Sequence, residues 1–155
     1  MIRTSTGPGP HYQALMQLLR TSEQVWNASR VFFAQWDLSP SQFNVLNLLS
    51  DTPEGLNQSE LSRQLIMHRS NATGLIDRLE ARNLLQRKPI AGDRRAHSVV
   101  LTKAGRNLID LILPEYYTIA EAILSDMPTA RTQQFVKDLS QLSANVNKME
   151  TELKV

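Results

Sequence analysis

The chain has 155 residues, 41% of them hydrophobic and 21% charged, with a formal net charge of +2. This is enough for one domain with a real core. With no cysteine, disulfides, thiolate zinc sites, cysteine nucleophiles and thiol redox sensing are excluded, in keeping with a reducing cytoplasm. The longest apolar runs, such as Leu108 to Leu113, are interrupted by Asp110 and Pro114, far short of the ~18 residues a membrane span requires.

The charge is unevenly placed. Between Glu60 and Arg106 stand ten Lys or Arg and four Asp or Glu, an excess of six cations, so the remainder carries four net negative charges. A basic middle between acidic ends is the pattern of a polyanion site on a non-binding scaffold, or of a solvated charged face.

In chain order, Met1 to Pro10 contains one Arg and a Gly-Pro-Gly-Pro stretch without an apolar core; residues 1–9 read as a flexible leader, not a secretory signal. A long first helix is expected over Pro10–Trp36, with Leu15 and Leu19 on its apolar side. Ser39-Pro40-Ser41-Gln42 supplies a hydroxyl cap, a proline in the first turn and a glutamine at the third position, a capping box opening a second helix. Asn57 and Glu60 repeat that logic for a third helix. A fourth is expected to begin near Ser70 or Asn71, burying Ala72, Leu75, Ile76 and Leu79 and ending at Asn83, a residue suited to a left-handed cap. Two helices with so short a turn between them form a helix-turn-helix candidate.

Strand character follows in Leu84–Lys88 and Ser98–Leu101, with Pro89 and Ala91-Gly92-Asp93 expected to hold an open loop tipped by Arg94 and Arg95. Thr102 caps a fifth helix with a kink expected at Pro114. The last helix spaces Phe135, Leu139, Leu142, Val146, Met149 and Leu153 at alternating steps of four and three, a heptad seam that argues for self-association.

Asn71-Ala72-Thr73-Gly74, Leu79-Glu80, Leu84-Leu85, Asp93-Arg94-Arg95 and Thr102-Lys103-Ala104-Gly105 together resemble the signature of the MarR (multiple antibiotic resistance regulator) family. Asn83 stands where that family usually has Gly. The resemblance implies a mainly α winged helix-turn-helix of six helices plus a β-hairpin wing, dimerising through its N- and C-terminal helices. On that reading 10–36 and 103–155 form the dimerisation region and 37–102 the DNA-binding region of one continuous domain. It further implies a cytoplasmic homodimer that binds double-stranded DNA at pseudo-palindromic operators, commonly as a repressor released by a small phenolic or anionic effector.

The start of a recognition helix needs short polar and basic side chains to meet base edges. His68, Arg69, Ser70, Asn71, Thr73 and Gly74 answer that need, Arg69 matching a guanine edge and Asn71 an adenine edge, while Arg78 and Arg82 reach for phosphates. Ser70 and Asn71 read equally as caps, and Arg78 and Arg82 as partners of Asp77 or Glu80. By resemblance Arg95 enters a minor groove, where a narrow groove focuses negative potential, Asp93 supports it and Arg94 meets phosphate. Leu15, Leu19, Phe135, Leu139, Leu142, Val146 and Met149 are the expected dimer contacts. His11, Tyr12, Arg20, Trp26, Phe43, Tyr116 and Tyr117 are candidates for an effector pocket, each equally readable as packing. Catalytic motifs, cofactor fingerprints and metal-ligand spacings are missing from the sequence, so no enzyme, cofactor or metal is expected. The competing reading is a winged-helix protein-interaction module that has given up DNA; such a module is expected to lose the wing cations, which this chain keeps.

Overall fold

A computed structural model describes residues 8–66, 71–90 and 93–153, with the backbone alone for 93–96. The order is α1 (Pro10–Ala34), α2 (Pro40–Ser50), β1 (Leu56–Asn57), α3 (Gln58–Gln64), α4 (Ala72–Ala81), β2 (Leu85–Ile90), β3 (Asp93–Leu101), α5 (Lys103–Ile123) and α6 (Thr129–Leu153). Two compact units divide the chain, Met1–Asp110 and Leu111–Val155. Among the described residues this is the expected mainly α winged helix with six helices, and its sheet has three antiparallel strands in the order β1-β3-β2.

The helix starts follow local chemistry. Gln42 N–H donates to Ser39 Oγ at 3.2 Å while Ser39 N–H donates to Gln42 Oε1 at 2.8 Å, closing the box at α2. Glu60 N–H to Asn57 Oδ1 (2.9 Å) and Asn57 N–H to Glu60 Oε2 (2.8 Å) do the same at α3. Each box satisfies two otherwise orphaned donors.

The end of α4 is equally local. Asn83 takes φ +55°; its N–H donates to Glu80 O at 2.8 Å, and Leu84 N–H donates back to Leu79 O at 3.0 Å. This is a Schellman motif, and Leu79 and Leu84, the two residues it brings together, are both buried. Asn substitutes for Gly there because its short polar side chain tolerates the left-handed region.

Within the first unit the core gathers Phe33, Val45, Leu46, Leu49, Leu61, Ile76, Leu79, Leu85 and Val99, each at most 1% exposed. Phe33 and Phe43 stack with centroids 4.2 Å apart. Short β1 lays Leu56 opposite Val99 and Asn57 opposite Ser98. Gly55 leads into it at φ +84°, where an added Cβ would fall 2.5 Å from Val99 O. Only glycine fits there.

Two expectations are corrected. The hairpin arms are longer than predicted: the β2–β3 ladder continues through Pro89 opposite His97 to Ile90 opposite Asp93, with a register shift between Pro89 and Ile90. Arg94 and Arg95 therefore stand on β3 and not at the tip of an open loop. β2 is a sheet edge, where a residue lacking N–H is tolerated, especially beside a bulge. Also, α4 begins at Ala72, one or two residues later than expected.

In the chain beyond Asp110, α5 runs through Pro114 as one helix. Proline removes the bond to the carbonyl four residues back, and here both Asp110 and Pro114 lie on the exposed side of the helix. α6 carries its heptad over a single helix with no buried residue, leaving Phe135, Leu142, Val146 and Met149 exposed.

Candidate nucleic-acid interface

α3 and α4 form the two arms of the helix-turn-helix. Ala72, Leu75, Ile76 and Leu79 point α4 into the core, which turns Asn71, Thr73, Asp77 and Arg78 outward, with Gly74 half-buried among them. The expected contacts Asn71, Thr73, Gly74 and Arg78 thus share one polar face. His68, Arg69 and Ser70 lie outside the described residues. Asn44 Oδ1 accepts from Ile66 N–H at 3.0 Å, fixing the chain as it leaves α3.

That face is organised by its own polar contacts. Gln58 Nε2, in the first turn of α3, donates to Thr73 Oγ1 at 2.5 Å. Asn71 makes no side-chain capping bond to α4. Its Oδ1 lies where a Cβ on Gly74 would come within 2.7 Å, so the missing side chain at Gly74 makes room for Asn71.

The basic segment is less free than its sequence suggests. Arg82 Nη1 donates to Asp37 O at 2.5 Å and Nη2 to Trp36 O at 3.1 Å, closing the α1–α2 turn where Asp37 holds φ +53°. Arg106 Nη1 donates to Ser50 O at 2.9 Å. Arg87, on β2, reaches across to α4: Nη2 pairs with Asp77 Oδ1 at 2.5 Å, Nη1 with Glu80 Oε2, and its backbone N–H donates to Glu80 Oε1 at 3.0 Å. The hydrogen bond that Arg87 donates to Asp77, reinforced by the charge of both carboxylates against the desolvation of partial burial, raises the Arg87 pKa above its ordinary value. Among the described side chains, Arg63, Arg78, Lys88 and Lys103 are the exposed cations of this segment.

On this framework the β2–β3 hairpin stands beside α4, with Lys88 and His97 exposed along it. Asp93, Arg94 and Arg95 occupy the start of β3.

Comparison with known proteins agrees with this architecture. The MarR family model matches residues 36–96, which runs from the α1–α2 turn into β3. The HTH-type transcriptional regulator PecS of Dickeya dadantii (strain 3937) is 33% identical over 110 residues, covering 70% of this chain and 66% of PecS. The chain belongs to the MarR family. It is a DNA-binding transcriptional regulator of that family. A Staphylococcus (S. aureus) MepR–DNA complex superposes with TM-score 0.75 at 20% identity, over 87% of this chain and 97% of that one. BpsR of Bordetella bronchiseptica, whose DNA binding is regulated by 6-hydroxynicotinic acid, gives TM-score 0.67 at 25% identity, over 82% and 98%.

The MarR-family fold of this chain also carries two adjoining clefts, the first of them beside α4. One, of about 290 Å3, is lined by Trp26 and Arg30 of α1, Ser39 and Ser41 at the start of α2, and Asn71 and Arg78. The other, of about 310 Å3, shares Arg30 and Ser39 and reaches Asp37 and Gln42. Of the residues expected to form an effector pocket, Trp26 lines the first. Phe43 is 5% exposed, stacks on Phe33 in the core and lines neither of these clefts. His11, Tyr12, Arg20 and Tyr117 are exposed, and Tyr116 is half-buried. Sequence reasoning missed Arg30, Gln58 and Arg87. Arg87 had a signal: it shares strand parity with buried Leu85, and a cation on an inward-facing position requires an acid.

Proposed function

We propose that this chain works as a homodimer, laying α4 of each copy in successive major grooves of a pseudo-palindromic operator and the β2–β3 hairpin over the adjoining minor groove. Residues 37–102 do the reading, with 10–36 and 103–155 joining the copies. The observation that carries this is the polar face of α4, where Asn71, Thr73 and Arg78 are exposed together beside a hairpin bearing Asp93-Arg94-Arg95. Phosphate contacts set register and base-edge contacts set sequence. Asn71 and Thr73, with His68, Arg69 and Ser70 preceding them, are assigned to base edges. Arg78 and Arg94 are assigned to phosphate, and Arg95 to the minor groove with Asp93 as its support.

Dimerisation is supported by the apolar side chains left exposed on α1, such as Leu15 and Leu19, and on α6, where Phe135, Leu142, Val146 and Met149 line one seam and Leu139 is half-buried. Faces of that kind gain roughly 25 cal/mol for each Å2 removed from water. No helix among the described residues is long and apolar enough to cross a membrane; the cytoplasm, where the DNA is, is the assigned compartment.

The chain acts as a repressor released by a small aromatic anion. Trp26, Arg30 and Arg78 line one cleft at α4, a residue set that suits a flat ring with a carboxylate. The regulation of BpsR by 6-hydroxynicotinic acid supports a ligand of that class.

The deciding experiment is a gel-shift titration with the promoter of the chain's own gene across a salt series. Half-sites about 34–36 Å apart are expected, with log affinity falling by about 0.9 per phosphate neutralised for each unit of log salt. Arg95→Ala weakens operator binding about tenfold or more while sedimentation still reports a dimer. Wild-type affinity in that variant, or a monomer in sedimentation, overturns the assignment.

A further inference from the structure

We propose that Arg87 is a positioning residue for DNA reading: it brackets the hairpin to α4 through Asp77 and Glu80, so that one ion-paired fork sets the angle between the two DNA-reading elements. The inference rests on the reading above, in which α4 and the hairpin contact the same duplex.

Asp77 and Glu80 are three residues apart, one above the other on a single side of α4. Arg87 lies on β2 opposite Val99. Its guanidinium spans both carboxylates, with Nη2 on Asp77 at 2.5 Å and Nη1 on Glu80, and the other Glu80 oxygen takes the Arg87 backbone N–H at 3.0 Å. Side chain and main chain of one strand residue are thus both fastened to the helix. A guanidinium presents its donors in a rigid planar fork, which fixes direction as well as distance.

The bracket does two things at the polyanion surface. It sets one positive charge against two carboxylates on a helix meant to approach phosphate, and it holds the hairpin in place. The Arg87 side chain is 27% exposed, against 57% for Asp77 and 37% for Glu80. Ion pairs this open to water contribute little to folding. What the bracket supplies is orientation, because a reading constellation has to be held within about 0.5 Å and 10–20° of its productive geometry. Arg87 is therefore a cation of the basic segment that serves DNA binding without touching DNA.

Charge and geometry are separable by mutation. The variants are Arg87→Met, Arg87→Lys, and the double Arg87→Met with Asp77→Asn, which keeps the wild-type net charge of the cluster. The readouts are operator affinity of the folded protein and groove-specific chemical footprints. Arg87→Met is expected to weaken operator binding about tenfold or more and to lose minor-groove protection while keeping major-groove protection. Arg87→Lys, a point charge without the fork, recovers part of both. The double variant stays weak, because restoring the net charge does not restore the tether. Wild-type binding by Arg87→Met overturns the proposal, as does full recovery in the double variant, which makes the effect one of charge alone. Failure of the underlying reading looks different: the unaltered protein would protect no groove at all.

Discussion

Gly105→Ala is expected to destabilise the protein severely although the residue sits in the first turn of a helix, where alanine is normally welcome. A Cβ at Gly105 would lie 1.9 Å from Leu84 O and 2.9 Å from Leu84 C, against the ordinary van der Waals range that begins near 3.4 Å. The obstacle is backbone, so no rotamer relieves it. Leu84 O is also engaged, accepting from Thr102 N–H at 3.2 Å. Thr102 Oγ1 donates to Asn83 O at 2.6 Å and accepts from Gly105 N–H at 3.0 Å. Separating these strands of backbone by more than about 1 Å combines overpacking of ~3 kcal/mol with about 1 kcal/mol for the strained hydrogen bond. The better helix propensity of alanine returns about 1 kcal/mol. The net loss is about 3 kcal/mol, or roughly 6–12 °C in Tm for a chain this size. Thermal unfolding followed by circular dichroism measures it, with Gly9→Ala as control because nothing lies within 4 Å of its Cβ position. A Gly105→Ala shift of less than about 2 °C would refute the reasoning. The Thr-Lys-Ala-Gly stretch thereby acquires a packing reason: its hydroxyl caps α5 and its glycine admits the Leu84 carbonyl.

Other outcomes follow from the same geometry. Asn83→Gly should leave stability unchanged or slightly raised, whereas Asn83→Ala should cost about 1–2 kcal/mol, the penalty for a Cβ in the left-handed region; urea titration separates the two. Arg82→Ala should lower Tm by removing the donors to Trp36 O and Asp37 O, worth about 1–3 kcal/mol, yet leave the salt slope of operator binding unchanged; a slope reduced by about one would show instead that Arg82 meets phosphate. Gly74→Ala should stabilise α4 by up to about 1 kcal/mol while displacing Asn71 Oδ1, so Tm rises or holds as operator affinity falls; affinity equal to wild type would remove Asn71 from the interface.

The parts legible in the sequence share one physical property: their interactions close within about five residues. The two capping boxes, the left-handed Asn83 and the Thr102 cap are hydrogen bonds between near neighbours, and the buried faces of α2 and α4 follow from a 3.6-residue period. The Asp93-Arg94-Arg95 register pointed to the hairpin, although the arms were drawn too short because Pro89 reads as a breaker until β2 is known to be an edge. The tally of cations was legible, but which of them face solvent was not. Arg82, Arg87 and Arg106 all turn inward to partners 7 to 56 residues away.

Sequence alone therefore determined the helices, their caps and the helix-turn-helix candidate, which rest on local hydrogen bonding and periodicity, and the resemblance of its motifs pointed to the winged fold and the family. Tertiary structure decided that Leu56–Asn57 joins the sheet, that Phe43 stacks on Phe33 in the core, and that Gln58 meets Thr73. It also decided that Arg87 ties the hairpin to α4. These pairings depend on which distant segments are brought within hydrogen-bonding or van der Waals reach. A residue's type states only that it needs a partner, and the folded chain determines which one it finds.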